Sequence, residues 1–543
     1  MTLRTRPAVP GLAAASPAPG HWLMLAVLLL GQFMCIIDVL VANVAMPSIA
    51  AHLHASGASL QLVVGGYTVA YAMLLVTGAR LGDRYGRRRL YLAGVVVFTA
   101  ASLACALAPD SQALIAFRLI QGAGAAVLVP QVFSIIQLTF TGQARARALS
   151  AYGAVLSAGA VAGLVLGGIV VNADLLGTGW RPVFAINVPI GIVLAIAVPR
   201  LVPPDEPASG PPRKLDLAGL AAAAGSVLLI VLPLVLGREA GWPAWCPGCV
   251  TAGLVLAGCF VLIERRVAAR GGDPLLNLAV LRARALPSGL VTLAATQIAY
   301  GGLLFTYTLH LQAGLGQSAL RAGVSYLPMA AVFGLTGYHW RRLPATARRF
   351  VVPAGLATGA AAYLTVAVGL HARTGALTWI GLAGVGLGLG LSVSPLLTQS
   401  LTHVPAARAA DASGLLTTTV QLSQLLGVVA IGSVYLSHAT RPPASTGAMS
   451  VTACWLAALS AAGLIAAAVT TRALLAPLAS GRQQSTLPVP LASGRPESVS
   501  SRSASPARLR RPSVGSFPRR SSQAPHSSAQ SPTAPSARGG EES

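Results

Sequence analysis

Two ionisable side chains lie inside apolar stretches of the sequence, where such groups are rare. Asp38 falls within the run CIIDVLVANVAMPSIA, and Arg118 falls within FRLIQGAGAAVLVPQ. An ionised side chain at the centre of a membrane-spanning helix costs roughly 2.5–3.5 kcal/mol on insertion scales, so each is a candidate for function. A carboxylate and a guanidinium that face one bundle interior could pair, and a proton arriving at the carboxylate would release that pair. Asp38 and Arg118 are therefore candidates for coupling transport to protons. A purely structural ion pair is the alternative.

A basic loop after the second apolar stretch holds the next candidates. It contains Asp83, Arg84, Gly86, Arg87 and Arg88. Gly86 permits a tight turn because glycine tolerates a positive φ. Asp83, just before the next apolar stretch, is expected to cap the helix that follows. The arginines would anchor this loop on the cytoplasmic side, so the loop is interpreted as a gate; a plain turn with topology charges is the alternative.

The elements that position these residues must be membrane-spanning helices. Hydrophobic residues make up 54% of the 543 residues, charged residues make up 10%, and the mean hydropathy is +0.69. A soluble domain carries about 25% charged residues, so most of this surface must face lipid. A span needs roughly 20 apolar residues, and the sequence contains fourteen such stretches. They lie near 22–46, 60–80, 90–108, 113–138, 149–171, 183–202, 217–236, 247–263, 287–310, 323–340, 351–370, 377–400, 412–436 and 450–471.

The basic residues predict the orientation of these spans. The chain has 38 basic and 14 acidic residues, a net charge of +24. With the N-terminus inside, the outer loops hold five basic residues and the inner segments hold 22. This asymmetry follows the positive-inside rule and argues against nucleic-acid binding. Lys214 is the one lysine of the sequence and lies in no GxxxxGK[ST] phosphate loop, which excludes an ATP-driven pump within this chain.

Several motifs together resemble the major facilitator superfamily, and within it the fourteen-span drug:proton antiporter family. The segment 78–89, GARLGDRYGRRR, is similar to the loop motif between spans 2 and 3, and 118–124, RLIQGAG, is similar to the span 4 motif. Asp38 with Asn43 resembles the span 1 signature, and the segment 180–191, WRPVFAINVPIG, resembles the approach to span 6. The resemblance covers about residues 21–471.

The resemblance implies an all-α polytopic membrane protein with the major facilitator fold, two six-helix bundles plus two extra spans. Such a fold holds a midplane cavity that opens alternately to each side, and the loop after span 2 is expected to latch the two halves. The expected parts are a cytoplasmic lead-in (1–20), the N-terminal bundle (21–204), two linking helices (205–264), the C-terminal bundle (265–471) and a disordered basic Ser/Pro/Arg-rich cytoplasmic tail (472–543).

Span 5 carries glycines spaced by four residues. Gly159, Gly163 and Gly167, with Gly168 beside them, would form a flat face for close helix packing. Leu164 stands where the family's antiporter motif usually has proline, so the kink that proline would impose is not expected here.

Polar side chains at membrane depth are the candidates for lining a substrate cavity. For each of them, a hydrogen bond between helices is the alternative role. No acid lies deep in spans 7–14, which favours neutral or weakly charged lipophilic substrates over dications. The cavity candidates are Gln32, Asn43, Tyr67, Tyr71, Gln121, Gln131, Gln297 and Gln424.

The predicted function is proton-coupled export of lipophilic drugs or antibiotics across the bacterial cytoplasmic membrane. Export of one endogenous metabolite or siderophore is the alternative. An enzyme is not expected, because no HExxH motif or cluster of acids is present. A metal site and a cofactor are not expected either. Protons are expected to be the coupling ion. The expected partners are the substrate and membrane lipid; a monomer is expected, with both termini cytoplasmic.

Overall fold

The computed structural model describes most of the hydrophobic part of the chain. Most of the predicted lead-in and most of the predicted tail lie outside the described residues. These are 19–174, 177–205, 216–237, 239–283, 285–371, 375–401, 404, 409–439 and 445–475.

The described residues contain fourteen helices that are long and apolar enough to cross a membrane. This confirms the predicted number of spans, and each helix overlaps one predicted stretch. In chain order they are α1 (Gly20–Leu53), α2 (Gly57–Tyr85), α3 (Arg87–Ala106), α4 (Ser111–Thr139), α5 (Gly142–Ala173), α6 (Pro182–Leu201), α7 (Leu217–Leu236), α8 (Trp245–Ala269), α9 (Leu286–Gly314), α10 (Ala319–Arg342), α11 (Val351–His371), α12 (Gly375–Ser400), α13 (Ala412–His438) and α14 (Ser445–Val469).

Local chemistry sets several helix boundaries. The Asp110 carboxylate accepts a hydrogen bond from the Ala113 N–H at 2.8 Å and begins α4. The turn between α2 and α3 needs Gly86, whose φ is 100°. Two helices contain π-helical turns, at His310–Gly314 in α9 and Gly427–Ile431 in α13. α5 runs without an internal proline, as expected from Leu164.

The helices pack into two groups of six and a separate pair. α1 packs on α5 and α6, while α4 packs on α2 and α3. In the second half, α11 packs on α12 and α14, while α9 packs on α13 and α14. α7 and α8 pack on each other, and α7 also contacts α2.

The hydrophobic core differs between the two ends of the molecule. We call the end where Gly86 joins α2 to α3 the Arg-rich end, and the end where α1 turns into α2 the distal end. At the distal end one buried cluster joins both groups of helices and contains Val44 and Phe305. At the Arg-rich end one cluster, with Tyr91, comes from α1–α6, and a separate cluster, with Leu396, comes from residues 280 onward. Apolar burial therefore holds the two groups together mainly at the distal end.

Candidate functional site

A buried ion pair lies at the centre of the first group of helices. Asp38 of α1 is 1% exposed, Arg118 of α4 is 0% exposed, and Arg118 Nη1 donates to Asp38 Oδ2. The structure therefore brings together the two ionisable residues singled out from the sequence. Two charges removed from water are tolerated only when they are paired and further hydrogen-bonded, and both conditions are met here.

The second oxygen of the carboxylate is held by two amides. Asp38 Oδ1 accepts from Gln121 Nε2 at 2.7 Å and from Asn187 Nδ2 at 2.8 Å. The Ser102 hydroxyl accepts from both amides, at 3.0 Å and 2.9 Å, and donates to the Phe184 carbonyl at 2.9 Å. With Arg118, three donors point at Asp38 from α4 and α6. An ionised carboxylate, which only accepts hydrogen bonds, suits this arrangement.

The guanidinium of Arg118 has further partners that disperse its charge. Nε donates to the Val63 carbonyl at 3.1 Å, and Nη1 also donates to Gln121 Oε1 at 2.7 Å. The guanidinium carbon lies 4.6 Å from the centre of the Tyr67 ring and 5.5 Å from that of Phe184. A cation over aromatic faces is stabilised by the ring quadrupole, more strongly when it is desolvated. The positive charge therefore keeps partial compensation if the carboxylate is neutralised.

The sequence missed Asn187 and Ser102 as members of this site. In the sequence, Asn187 is one residue of the segment 180–191, and Ser102 is one of many hydroxyl residues in the spans. Neutral polar residues are inexpensive in membrane helices and hence common there. Their spacing does not show which helix face they occupy. The one available signal was that Asn187 lies at membrane depth.

The predicted cavity residues divide into three groups. Gln121 and Tyr67 belong to the ion-pair site instead of an open cavity, and Tyr71 stacks on Tyr67 with 6.1 Å between ring centres. Gln131 donates to the Gly78 carbonyl at 2.9 Å, which is the alternative role of a helix-to-helix bond. Within the described residues the others make no side-chain hydrogen bond to another helix: Gln32, Asn43 and Gln297 are buried, and Gln424 is half-buried.

The expected role of Asp83 as the cap of α3 is wrong. Asp83 lies in the last turn of α2, where its carboxylate pairs with Arg87 at 2.6 Å. The cap is Asp205, whose carboxylate accepts from the N–H groups of Arg88 at 2.8 Å and Arg89 at 3.3 Å. Asp205 follows α6, far along the chain, so no local pattern pointed to it. It ties the end of α6 to the start of α3.

The rest of the basic loop is positioned by its own backbone and by α6. Arg88 Nη2 donates to the Pro199 carbonyl at 2.6 Å, and Arg84 lies over the Tyr85 ring, 5.2 Å from its centre. Gly86 is also a close contact, since the Asp205 carboxylate occupies the space where a β-carbon would be. The positive φ and this contact both require glycine.

Arg80, inside the same motif, bridges the two halves of the chain. It is 6% exposed, and its guanidinium donates to the carbonyls of Asp273, at 3.0 Å, and Pro274. These carbonyls belong to the segment between α8 and α9. We call this contact the Arg80 latch; the sequence placed the latch at Asp83 and its arginines instead.

The glycine face of α5 is real and packs on α1. β-Carbons added at Gly159, Gly163 and Gly167 would lie 2.9–3.1 Å from atoms of α1. Gly168 faces a different helix, because a β-carbon there would lie 2.8 Å from the Ala319 carbonyl at the start of α10. The spacing by four thus brings α5 against α1, and Gly168 brings it against the second half of the chain at the distal end.

In the part of the chain that the structure describes, no group of three or more His, Cys, Asp or Glu side chains could hold a metal ion.

The sequence matches the profile of the Major Facilitator Superfamily over residues 28–428. A probable actinorhodin transporter of Streptomyces coelicolor is 37% identical over 436 residues, which are 78% of this chain and 75% of that protein. Puromycin resistance protein pur8 of Streptomyces alboniger is 31% identical and covers 80% of this chain and 88% of its own. The cephamycin export protein CmcT of Amycolatopsis lactamdurans is 35% identical and covers 76% and 85%.

Solved structures agree at the level of the fold. A bacterial homologue of the human lysosomal transporter Spinster, in an inward-facing and unoccupied conformation, superposes with a TM-score of 0.60. It is 18% identical, and the match covers 84% of this chain and 98% of that chain.

Proposed function

The chain belongs to the Major Facilitator Superfamily, and on that premise we propose that it exports a lipophilic antibiotic or drug across the cytoplasmic membrane in exchange for protons. It is a multi-pass membrane transporter and not an enzyme. Relatives named for puromycin resistance and for cephamycin export support efflux. The buried Asp38–Arg118 pair is the observation that carries the proposal of proton coupling.

In the proposed mechanism Asp38 is the proton carrier. A proton that reaches its carboxylate removes the negative charge, so Arg118 loses its ionic partner but keeps the Tyr67 and Phe184 rings. The amides of Gln121 and Asn187 would then face a neutral acid with one fewer acceptor site. Because the donors come from α4 and α6 while Asp38 lies on α1, protonation changes the contacts between helices.

The two ends of the molecule support alternating access. We propose that residues 21–204 and 265–471 rock against each other, with 205–264 as a linking pair. At the distal end the halves are joined by a shared core, and Gln312 Nε2 donates to the Val44 carbonyl at 2.9 Å. With the Arg-rich end placed in the cytoplasm by the positive-inside rule, and both termini there too, this conformation is closed to the outside.

The proton gradient supplies enough free energy for such a cycle. Each proton that enters yields about 2.3 kcal/mol per 100 mV of membrane potential and about 1.4 kcal/mol per pH unit. No cofactor is needed in this scheme, and a monomer contains every residue that it uses.

The polarity of the second half supports a neutral or weakly charged lipophilic substrate. Among the described residues from 286 to 469, the buried polar side chains are hydroxyls, Gln297 and His310, with no acid. An open apolar groove of about 370 Å³ between α9, α13 and α14 is lined by residues that include Ile298, Leu426 and the exposed Trp455. Its size lies within the range of small-molecule sites.

Export of one endogenous metabolite is the second candidate. It is favoured by the likeness to a probable actinorhodin transporter, 37% identical over most of both chains. A dedicated exporter would protect its host against one compound class, whereas a multidrug pump would expel chemically unrelated compounds.

Accumulation of dyes and antibiotics in a pump-deficient bacterial host tests the proposal. Wild type is compared with Asp38→Asn at matched membrane expression, with and without a protonophore. Asp110→Asn is the control, because Asp110 is an exposed acid that caps α4 and asparagine caps equally well. We expect cells with wild type or Asp110→Asn to accumulate less compound than cells without the transporter. This difference should disappear in Asp38→Asn and when the protonophore collapses the gradient. Export that survives in Asp38→Asn would contradict the role of Asp38; no export of any compound would favour one dedicated metabolite.

A further inference from the structure

Two carboxylates at the Arg-rich end remain outside the proposed transport mechanism. Glu264 lies near the end of α8 and is 1% exposed, and Asp216 lies just before α7 and is half-buried. Both belong to the linking pair, α7 and α8. These two helices lie outside the two groups of six helices.

Each carboxylate has one bonded oxygen and one oxygen without a partner. Glu264 Oε2 accepts from the Leu276 N–H at 2.8 Å, and Asp216 Oδ1 accepts from the Gly219 N–H at 2.7 Å. Glu264 Oε1 and Asp216 Oδ2 are buried and have no hydrogen-bond partner. Buried polar atoms are usually bonded, so two neighbouring carboxylate oxygens without a partner require an explanation.

The two orphan oxygens face the same space. A β-carbon added at Gly219 would lie 2.5 Å from Glu264 Oε1 and 2.8 Å from Asp216 Oδ2. Glycine at this position therefore leaves room for the oxygens to approach each other across the helix surface.

We propose that Asp216 and Glu264 form a second proton-binding site, in which the two carboxyl groups share one proton. Two facing carboxylates, one of them fully buried, repel each other when both are ionised, and one shared proton removes the repulsion and bonds both orphan oxygens. A proton fits better than a metal ion, because the described residues hold no cluster of three metal-binding side chains. The other charged group that faces the pair is Arg80 of α2.

This site adjoins the Arg80 latch. Glu264 holds the N–H of Leu276, and the carbonyls that accept from Arg80 belong to Asp273 and Pro274, a few residues earlier in the same segment. Loss of the shared proton would add a negative charge next to the latch arginine. An effect on transport rests on the proposed function, but proton binding by the pair does not.

Infrared difference spectroscopy of the purified full-length protein tests proton binding directly. The C=O stretching band of a protonated carboxyl group is followed through a pH titration in the Asp38→Asn background, which removes the other buried acid. We expect a band at neutral pH that Glu264→Gln abolishes. The amide introduced by Glu264→Gln would still accept from the Leu276 N–H and would donate to Asp216 Oδ2, leaving Asp216 ionised. Asp110→Asn is the control and should leave the band unchanged.

Asp216→Asn provides a second variant that keeps the cap of α7, since asparagine accepts from the Gly219 N–H as well. Without the facing charge, the band of Glu264 should disappear at lower pH than in the unsubstituted pair. A band unaffected by both substitutions, or no band at neutral pH, would overturn the proposal. Carboxylate bands that shift on adding Na⁺ would also overturn it in favour of a cation site. If the band persists in Asp38→Asn while transport is lost, proton binding by Asp216 and Glu264 is established independently of the proposed transport function.

Discussion

The interiors of the two groups of six helices bury their polar groups in different ways. In the first group Arg118 and Asn187 each donate to Asp38, so these bonds join three helices. In the second group most buried hydroxyls donate along their own helix, as Thr292 does to Ser288 and Thr306 to Gly302. Bonds between helices occur there too, since the Tyr326 hydroxyl bonds to Thr308 and to the Leu304 carbonyl, but they involve no ion pair. The first interior is therefore a charged network between helices, and the second is a set of neutral bonds that lie mostly within helices.

This difference indicates where protonation can change the contacts between helices. A hydrogen bond within one helix is unchanged when that helix moves, so it carries no coupling to the rocking of helices. A network between helices changes its free energy with their relative position, and its only acid is Asp38. We therefore propose that proton coupling resides in α1–α6 and that α9–α14 supply contacts with a neutral substrate.

Removing one partner of the ion pair should have the largest effect on the free energy of unfolding. Asp38→Asn and Arg118→Gln should each lower the free energy of unfolding by about 3–5 kcal/mol, because each leaves a buried charge unpaired. The double variant should recover much of this loss, since no buried charge remains. Chemical unfolding in mixed micelles at a fixed pH provides the three values.

A double-mutant cycle separates pairwise interaction from independent effects: the loss in the double variant should be smaller than the two single losses together. Two single losses that simply add in the double variant would show that the residues do not interact.

The sequence could reveal this pair because ionised side chains are so costly in a membrane that only two stood out. It could not reveal Asn187 and Ser102, since neutral polar residues are common in spans and their facing is decided by tertiary packing. The same limit explains the error at Asp83: an acid next to the helix start seemed sufficient, but Asp205 arrives from the end of α6. The number of membrane-spanning helices depends on local hydropathy, and so it was predicted correctly.

A second test concerns the packing that brings α1, with Asp38, against α5. Gly163→Ala should destabilise the protein by about 1–3 kcal/mol, because the added carbon would lie 2.9 Å from Leu40 Cβ and 3.2 Å from the Ile37 backbone. Gly153→Ala on the same helix is the matched control, with no atom within 4 Å of the added carbon. It should be neutral or stabilising by up to about 1 kcal/mol. Thermal unfolding of Gly163→Ala and Gly153→Ala measures the two changes in stability. Equal changes would argue against close packing at Gly163.

The corrected cap of α3 gives a smaller effect. Asp205→Ala should cost about 0.5–2 kcal/mol, because two N–H groups at the start of α3 lose their acceptor. Asp83→Ala should cost less than about 1 kcal/mol, since its pair with Arg87 is partly exposed and screened by water. The ranking is checked by thermal unfolding at low and high salt, and only the Asp83 effect should shrink markedly with salt. A larger loss in Asp83→Ala would restore the original assignment.

The smallest effect is expected in the second group of helices, and it sharpens the comparison from the other side. Thr296 is buried, and its hydroxyl donates to the Thr292 carbonyl of the same helix at 2.9 Å. Thr296→Val keeps the shape and removes a hydrogen bond worth about 0.5–1.5 kcal/mol. Because that bond does not join two helices, the pH profile of efflux should stay as in wild type, with Thr296→Ser as the control that retains the hydroxyl. A displaced pH profile in Thr296→Val alone would show that the second interior also takes part in proton coupling, and the division between the two groups of helices would fail.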